Sequence, residues 1–413
     1  MKVVTLKPDQ FNNYAKNHKY RSYYQSSTYA NVMIKFGYSA QYLGVVNDNN
    51  KLIGATLIIY KKLYMSYKIA YAPRGILYNY ENNENLEEMM NLIKKILNKK
   101  KFMLLRIDPY IPLTIRDKDG NIMNFNNKGN EIIENLKSAG FEYKGKTLYF
   151  ETEKPRWEAL VLLNKDVREI FAKFDKRTRN KIRKATNSGI EVVKDTSQNV
   201  NKLYEFVTSK DHKPLSYYKE LVNQFGDNID IYYAKLNTET FLINSRRTYE
   251  KELDYNNDLQ ERVQDMSLEP SEREAYINKK MESDKLITNY KNSMVQSTDL
   301  LKDNPDGIII AGAMVLRYDN AAYILTEGVD ERYSYVNANY LIKWNMIDDY
   351  NRQGFKYINL NGVVGEFEKD NDYKGLNEVK LGFNPIVTEY IGEFDMIINS
   401  VAFNLYEKLH KKQ

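Results

Sequence analysis

The chemistry of this chain rests on lysine, arginine, carboxylate and tyrosine side chains, because its 413 residues include no cysteine. That excludes disulfides, thiolate metal sites, a thiol nucleophile and the thioester route to acyl transfer. The histidines, His18, His212 and His410, lie far apart and form no metal-spaced pair. A Ser-His-Asp triad would need one of them, and no Gly-x-Ser-x-Gly segment precedes His212.

Three polar segments remain. The first, Lys173-Phe174-Asp175-Lys176-Arg177-Thr178-Arg179-Asn180-Lys181-Ile182-Arg183-Lys184, carries seven basic residues and one acidic. On a helix these cover more than one face, with Phe174 and Ile182 as anchors. Such a cluster neutralises phosphates well, and a solvated basic helix is the structural alternative. The second is Lys210-Asp211-His212-Lys213-Pro214-Leu215-Ser216-Tyr217-Tyr218. Pro214 can open a helix, which puts Lys213 and Tyr217 near an N-terminus that favours anions. The third is Asn359-Leu360-Asn361-Gly362-Val363-Val364-Gly365, followed by 375–383 with its one lysine, Lys380. A strand, a glycine-bearing loop and a buried-looking segment are expected there. Nothing matches a Walker loop or a Rossmann fingerprint.

The elements that position these groups alternate. Tyr42–Val46 and Leu52–Tyr60 read as a hairpin around 47–50, Asn85–Asn98 as a helix, Phe102–Ile107 as a strand and Asn130–Ala139 as a helix. The same order recurs later: a strand at Ala159–Leu163, helices around Asp166–Ser188 and Val200–Val207, strands at Ile229–Lys235, Gly307–Leu316 and Ala321–Leu325, a helix at Asn337–Gln353 and a strand at Tyr357–Leu360. That order predicts a duplicated α/β unit with a mixed sheet. Residues 242–302 differ. They are highly charged and contain no glycine. Leu259, Val263 and Met266, then Ile287, Tyr290, Met294, Ser297 and Leu301, step at heptad-like spacing on either side of Pro270. An inserted antiparallel helical hairpin is predicted, with Ser271 capping its second helix and imperfect heptads around Asn256. Each helix of about 25 residues would reach on the order of 37 Å. A spacer and an arm that contacts tRNA or a partner are both compatible with it.

The net charge of +6 decides nothing by itself. No apolar run reaches the roughly 18 residues of a membrane span. The first residues lack the apolar core of a signal peptide. A cytoplasmic protein is expected, with at most peripheral contact at the inner membrane face.

Several segments resemble, in order, the motif blocks of the Fem family of peptidoglycan bridge-forming aminoacyltransferases. They are Tyr71-Ala72-Pro73-Arg74-Gly75, Arg106-Ile107-Asp108-Pro109, the basic run ending in Gly189-Ile190-Glu191-Val192, then Tyr357–Gly365, Lys380–Phe383 and Glu389-Tyr390-Ile391-Gly392-Glu393-Phe394. The resemblance implies two acetyltransferase-like (GNAT-type) domains, 1–152 completed by 388–413 and 153–387, with the helical arm at 242–302. It implies transfer of an amino acid from aminoacyl-tRNA to a lipid-linked or UDP-linked muropeptide, with no cofactor. Lys380 matches the lysine that stabilises the oxyanion at the ester carbonyl, although Val379 replaces the aromatic residue before it. Asp108 and Glu393 match acidic residues considered as proton acceptors. Lys213 and Tyr217 match an arginine and a tyrosine that bind precursor phosphate; lysine keeps the charge and loses the bidentate fork. A further phosphate-binding lysine falls on Met33, with Lys35 two residues on. Lys35 and Arg74 complete the candidate precursor contacts. Lys176, Arg177, Arg179, Lys181, Arg183 and Lys184 are the candidate tRNA contacts.

Aminolysis of an activated ester needs no protein nucleophile. Positioning supplies several kcal/mol of the barrier, and one oxyanion donor typically supplies about 3–4 kcal/mol. A carboxylate can accept the amine proton, or the tRNA ribose can relay it. Two other readings exist. One is a non-catalytic tRNA-binding or scaffold protein that uses the basic helix and the arm. The other is an acetyl-coenzyme A transferase, which needs a pyrophosphate loop that the sequence lacks.

Overall fold

The computed structural model describes every residue except 64–65, 82–83, 208–212, 369–371 and 411–413, and the backbone alone at 374, 376 and 410. Lys210, Asp211 and His212 of the second polar segment therefore lie outside the described residues.

Two mixed sheets carry the chain. The first runs in the order Lys2–Thr5, Ser39–Val46, Leu52–Lys62, Lys68–Ala72, Phe102–Ile107, Phe394–Ile397 and Glu142–Tyr143, with Leu77–Tyr78 on Leu52–Lys62. The second runs Ile190–Asp195, Ile229–Leu236, Ile308–Tyr318, Ala321–Val329, Tyr357–Gly362, Trp157–Leu162, Ile386–Tyr390, Pro112–Arg116 and Ile122–Phe125. Each sheet opens with antiparallel pairs and then has one parallel pair, Lys68–Ala72 with Phe102–Ile107 in the first and Ala321–Val329 with Tyr357–Gly362 in the second. A crossover helix, Leu86–Lys99 or Ala338–Arg352, joins each parallel pair. The first five strands of each sheet thus repeat the same order and pairing, as the element order predicts. The two sheets do not divide at residue 152. The Pro112–Arg116 and Ile122–Phe125 hairpin sits in the second sheet, and the C-terminal strand Phe394–Ile397 returns to the first.

Periodicity explains the first crossover helix. Leu86, Met89, Met90, Ile93 and Leu97 form its buried stripe, with Glu87 and Glu88 in the first turn and Lys99 in the last, as the helix dipole favours. Two further helices, Pro8–Lys16 and Ser27–Lys35, pack with Val200–Val207 and Leu215–Phe225 in one core that spans both sheets. Phe11, Tyr29 and Leu57 from one half meet Leu203, Leu221 and Met314 from the other in that core.

The arm comprises Thr238–Gln264 and Pro270–Asp303, 27 and 34 residues, or about 40 and 50 Å. It interrupts the strand pair in which Leu236 faces Ile308. Asn256 explains the broken heptads. It is buried and donates to Ser283 Oγ (3.0 Å) and Asp284 Oδ1 (2.9 Å), while Ser283 Oγ donates to Glu252 (2.7 Å). A satisfied polar layer in a helical seam fixes register at some cost in stability. Two expectations for the arm need correction. Met266 is 79% exposed and lies outside the seam. Ser271 does not cap the second helix, because Pro270 already occupies its first position after Glu269.

Candidate active site

The parallel pair of the first sheet ends in Pro73-Arg74 and Asp108-Pro109, so Arg74 and Asp108 emerge side by side. The Arg74 backbone N–H donates to Asp108 Oδ1 at 2.7 Å. Its guanidinium crosses to the second sheet, donating to Glu158 Oε1 at 2.7 Å and to the Pro155 carbonyl at 2.8 Å. The rings of Tyr110 and Tyr390 stack 4.5 Å apart beside it, with the guanidinium carbon 5.0 and 4.8 Å from their centres. Both tyrosine hydroxyls donate to Glu158 Oε2 at 3.0 Å, and Asn359 Nδ2 donates to the same oxygen at 2.8 Å. Arg74 is only 2% exposed. It is an inter-sheet ion-pair link, engaged by two carboxylates, and not a surface cation. The cavity at this seam, between Ser22–Tyr24 and Asn359–Asn361, is about 20 Å³, room for one water-sized group.

Asp108 and Glu393 lie together because Ile107 pairs with Phe394 across the antiparallel strands. Both are buried. Burial pushes the Asp108 carboxyl up to about 6 against the pull of Arg74. Burial likewise pushes Glu393 up to about 7, although Arg106 lies 3.2 Å from Oε1 and the Glu153 N–H donates to Oε2 at 3.1 Å. The Asp108 charge also raises the cost of ionising Glu393. Raised carboxyl values mean that the folded state holds more protons than the unfolded chain between about pH 4 and 7. Stability therefore falls as pH rises through that window. Asp108→Asn removes one of the two groups. Its melting temperature should fall less steeply than the native protein's between pH 5 and 7.5, corresponding to a stability difference of about 1.4 kcal/mol. Parallel curves would contradict the burial argument.

Lys380 lies on the helix Lys374–Leu381. Its ammonium donates to the Gly362 carbonyl at 2.6 Å. Asn361, at φ 70°, is in the left-handed region at the end of its strand. The neighbouring buried Lys343 is paired with Glu327 at 2.5 Å. Burial pushes the Lys380 ammonium down to about 8; Glu327 opposes this and Lys343 reinforces it. An ammonium has three donors, and Gly362 takes one. Lys380 does not line the seam cavity itself; Asn361, next to Gly362, does.

The basic run is a helix over Lys176–Asn187, following the shorter Val167–Lys173. Thr178, Ile182 and Ala185 bury one face. Lys176, Arg177, Arg183 and Lys184 are exposed, whereas Arg179 and Lys181 are half-buried. Arg179 donates to the Ala172 carbonyl at 2.8 Å, and Lys181 donates to the Tyr340 hydroxyl at 2.8 Å. The helix starts against the one that carries Lys380. The Asp175 N–H donates to the Gly382 carbonyl at 2.9 Å, and Arg177 pairs with Glu378. A Cβ on Gly382 would sit 2.2 Å from Thr178 Oγ1, so this approach requires glycine. Beyond the basic helix, Arg183 and Lys184 open onto a groove of about 800 Å³ against the root of the arm, walled by Asn244, Tyr290 and Tyr335.

Lys35 and Lys213, the remaining precursor candidates, are both exposed. The helices Ser27–Lys35 and Leu215–Phe225 pack together, and Phe36 meets Tyr217 at 5.4 Å. Lys213 caps the Tyr217 ring at 5.7 Å. Tyr29 lies close enough to both Tyr217 and Asp108 for their charges to act on it. Lys35, Lys213 and Tyr217 thus gather at one cross-sheet helix pair, and Lys380 lies on the helix that meets the basic helix. Sequence reading missed Glu158, the hub of the seam. A glutamate inside the otherwise apolar Trp157–Leu162 is the signal for it.

Folds of this kind occur in tandem GNAT acyltransferases. A tandem GNAT protein from the clavulanic acid biosynthesis pathway superposes with a TM-score of 0.50 at 9% identity, covering 96% of this chain and 98% of that one. The crystal structure of FemX superposes with a TM-score of 0.71 at 20% identity, covering 98% and 100%. The FemAB family model matches residues 6–411, and the chain belongs to that family. Among curated relatives, Aminoacyltransferase FemA of Staphylococcus epidermidis is 24% identical over 100% of this chain and 99% of its own length. Lipid II:glycine glycyltransferase of the same species is 23% identical over 99% and 96%. The protein is an aminoacyltransferase.

Proposed function

We propose that this enzyme takes an aminoacyl group from the 3′ ester of a charged tRNA and joins it to an amine on the peptide of a lipid-linked peptidoglycan precursor. One observation carries the reading: the basic helix is seated by Asp175 and Arg177 on the helix that bears Lys380. A polynucleotide held there would bring its ester end toward the one cation matched to oxyanion duty. The amine attacks the ester carbonyl, Lys380 holds the oxygen as it gains charge, and the tRNA ribose leaves as an alcohol. Asp108 or Glu393, both poised near neutrality, accepts the amine proton and returns it to the departing ribose oxygen, unless the ribose relays it directly. Lys35, Lys213 and Tyr217 hold precursor phosphate, with Arg74 fixing the wall between the sheets. The name of the lipid II:glycine relative supports the lipid-linked acceptor and makes glycine the first donor to test. No described helix is long and apolar enough to cross a membrane.

Incubation with a mixture of charged tRNAs and the lipid-linked and UDP-linked precursors tests the reading. One precursor should gain the mass of one aminoacyl residue, and deacylated tRNA should give none. Absence of any gain would contradict the tRNA ester as donor or the precursor as acceptor. The basic helix gives a separate expectation. Arg183→Glu with Lys184→Glu should weaken tRNA binding and lower the slope of log affinity against log salt by about 1.5–2. An unchanged slope would remove this helix from the tRNA contact.

A further inference from the structure

The C-terminal helix, Ser400–His410, begins where the last strand leaves the first sheet. Ile398 and Asn399 N–H groups donate to the Met103 carbonyl, and Asn399 Oδ1 accepts from the Ala402 N–H. The inner face, Ala402, Phe403 and Tyr406, packs on Met103, Leu104 and Ile69. The outer face is aliphatic and uncovered. Val401, Leu405 and Leu409, at i, i+4 and i+8, are 80%, 50% and 56% exposed.

The sheet end beside this helix is lysine-rich. Lys68 pairs in parallel register with Phe102, so Lys62, Lys68, Lys100 and Lys101 come together there. The Lys68 ammonium is pushed down by burial and then by Lys62, Lys100 and Lys101, which shows how closely the cations crowd. Residues 61–69 and 98–105 contain no acidic side chain, and the helix contributes Glu407 against Lys408.

We infer that this helix and the lysines beside it form a docking face for the surface of an anionic bilayer, a step that rests on the lipid-linked acceptor proposed above. Lysines meet the headgroup charge while the three aliphatic side chains enter the acyl boundary, the arrangement of an interfacial helix. A nucleic acid would use the lysines and leave the aliphatic stripe exposed. A second copy docking isologously would press two lysine clusters together, which like-charge repulsion opposes. The face also sits usefully. The strand from Phe102 runs to Asp108 at its other end, about 20 Å away. An extended peptide of about six residues covers that span. A precursor still in the membrane could therefore present its peptide amine to the carboxylate pair.

Vesicle flotation of the full chain tests this, without tRNA or precursor. Binding is expected to phosphatidylglycerol-containing vesicles at low salt and not to phosphatidylcholine vesicles. Lys100→Glu with Lys101→Glu should weaken partition at least about twentyfold, and Leu405→Asp with Leu409→Asp at least tenfold. Both variants should keep their melting temperature and their transfer rate to a soluble precursor analogue. Absence of vesicle binding, or binding by either variant as strong as the native protein's, overturns the proposal. So does a native dimer in sedimentation that Leu405→Asp dissolves. Because flotation needs no reaction, its failure and the failure of aminoacyl transfer are separate results.

Discussion

Replacing Lys380 with alanine is expected to lower the single-turnover transfer rate by about 10²–10³-fold, with tRNA affinity unchanged. One donor aimed at a developing oxyanion contributes about 3–4 kcal/mol to the transition state and little to ground-state binding. Lys380 carries the charge for this role, on a helix tied directly to the basic helix. Its ammonium is already oriented by the Gly362 carbonyl. Its depressed value, about 8, adds a second signature. The rate should fall as pH rises above about 8 and the lysine loses its proton. It should rise on the acid side through about 6–7, where Asp108 and Glu393 become able to accept one. These limbs belong to the coupled set of groups and not to single residues. An alanine variant that keeps both its rate and the alkaline limb would remove Lys380 from the chemistry.

Arg74→Met is expected to destabilise the protein by about 3–5 kcal/mol, read as a lower urea midpoint. Arg74 faces Asp108 and Glu158 with almost no solvent access. Its loss leaves Asp108 and Glu158 without their directly paired cation, a far larger penalty than the net worth of the intact pair. Adding Glu158→Gln should restore part of that loss, because the second substitution removes one stranded charge. Equal and additive losses in the two single variants would mean that the guanidinium and the carboxylate act independently. Asn359, Tyr110 and Tyr390 would then hold Glu158 without help.

Much of the architecture could be read from the chain because the signals are periodic. The Leu86–Lys99 stripe, the strands around Phe102 and Ile308, and the glycine-free arm all have patterns that local physics enforces. Short polar elements have no such pattern. Pro8–Lys16 and Ser27–Lys35 are nine residues each, and their stability comes from the core shared between the sheets. The Lys380 segment reads only as buried-looking, yet it is a helix of about two turns, with Gly382 packed against Thr178. A strand read as Ala159–Leu163 excludes Glu158, and with it the charge at the centre of the seam. Arg74 shows the converse. The resemblance marks the position, and only packing reveals that its charge is consumed by Glu158 and Asp108. The split of the basic run into exposed Lys176, Arg177, Arg183 and Lys184 and half-buried Arg179 and Lys181 likewise depends in part on Tyr340, the partner of Lys181, which no local pattern supplies.

The decisive measurement is the precursor's mass in a single turnover on charged tRNA, with native protein and Lys380→Ala run side by side at equal tRNA occupancy. The native reaction should add one aminoacyl residue, and the variant should add it at least a hundredfold more slowly. Equal rates, or addition from free amino acid without the tRNA ester, would contradict a lysine that stabilises the oxyanion of an aminoacyl-tRNA ester.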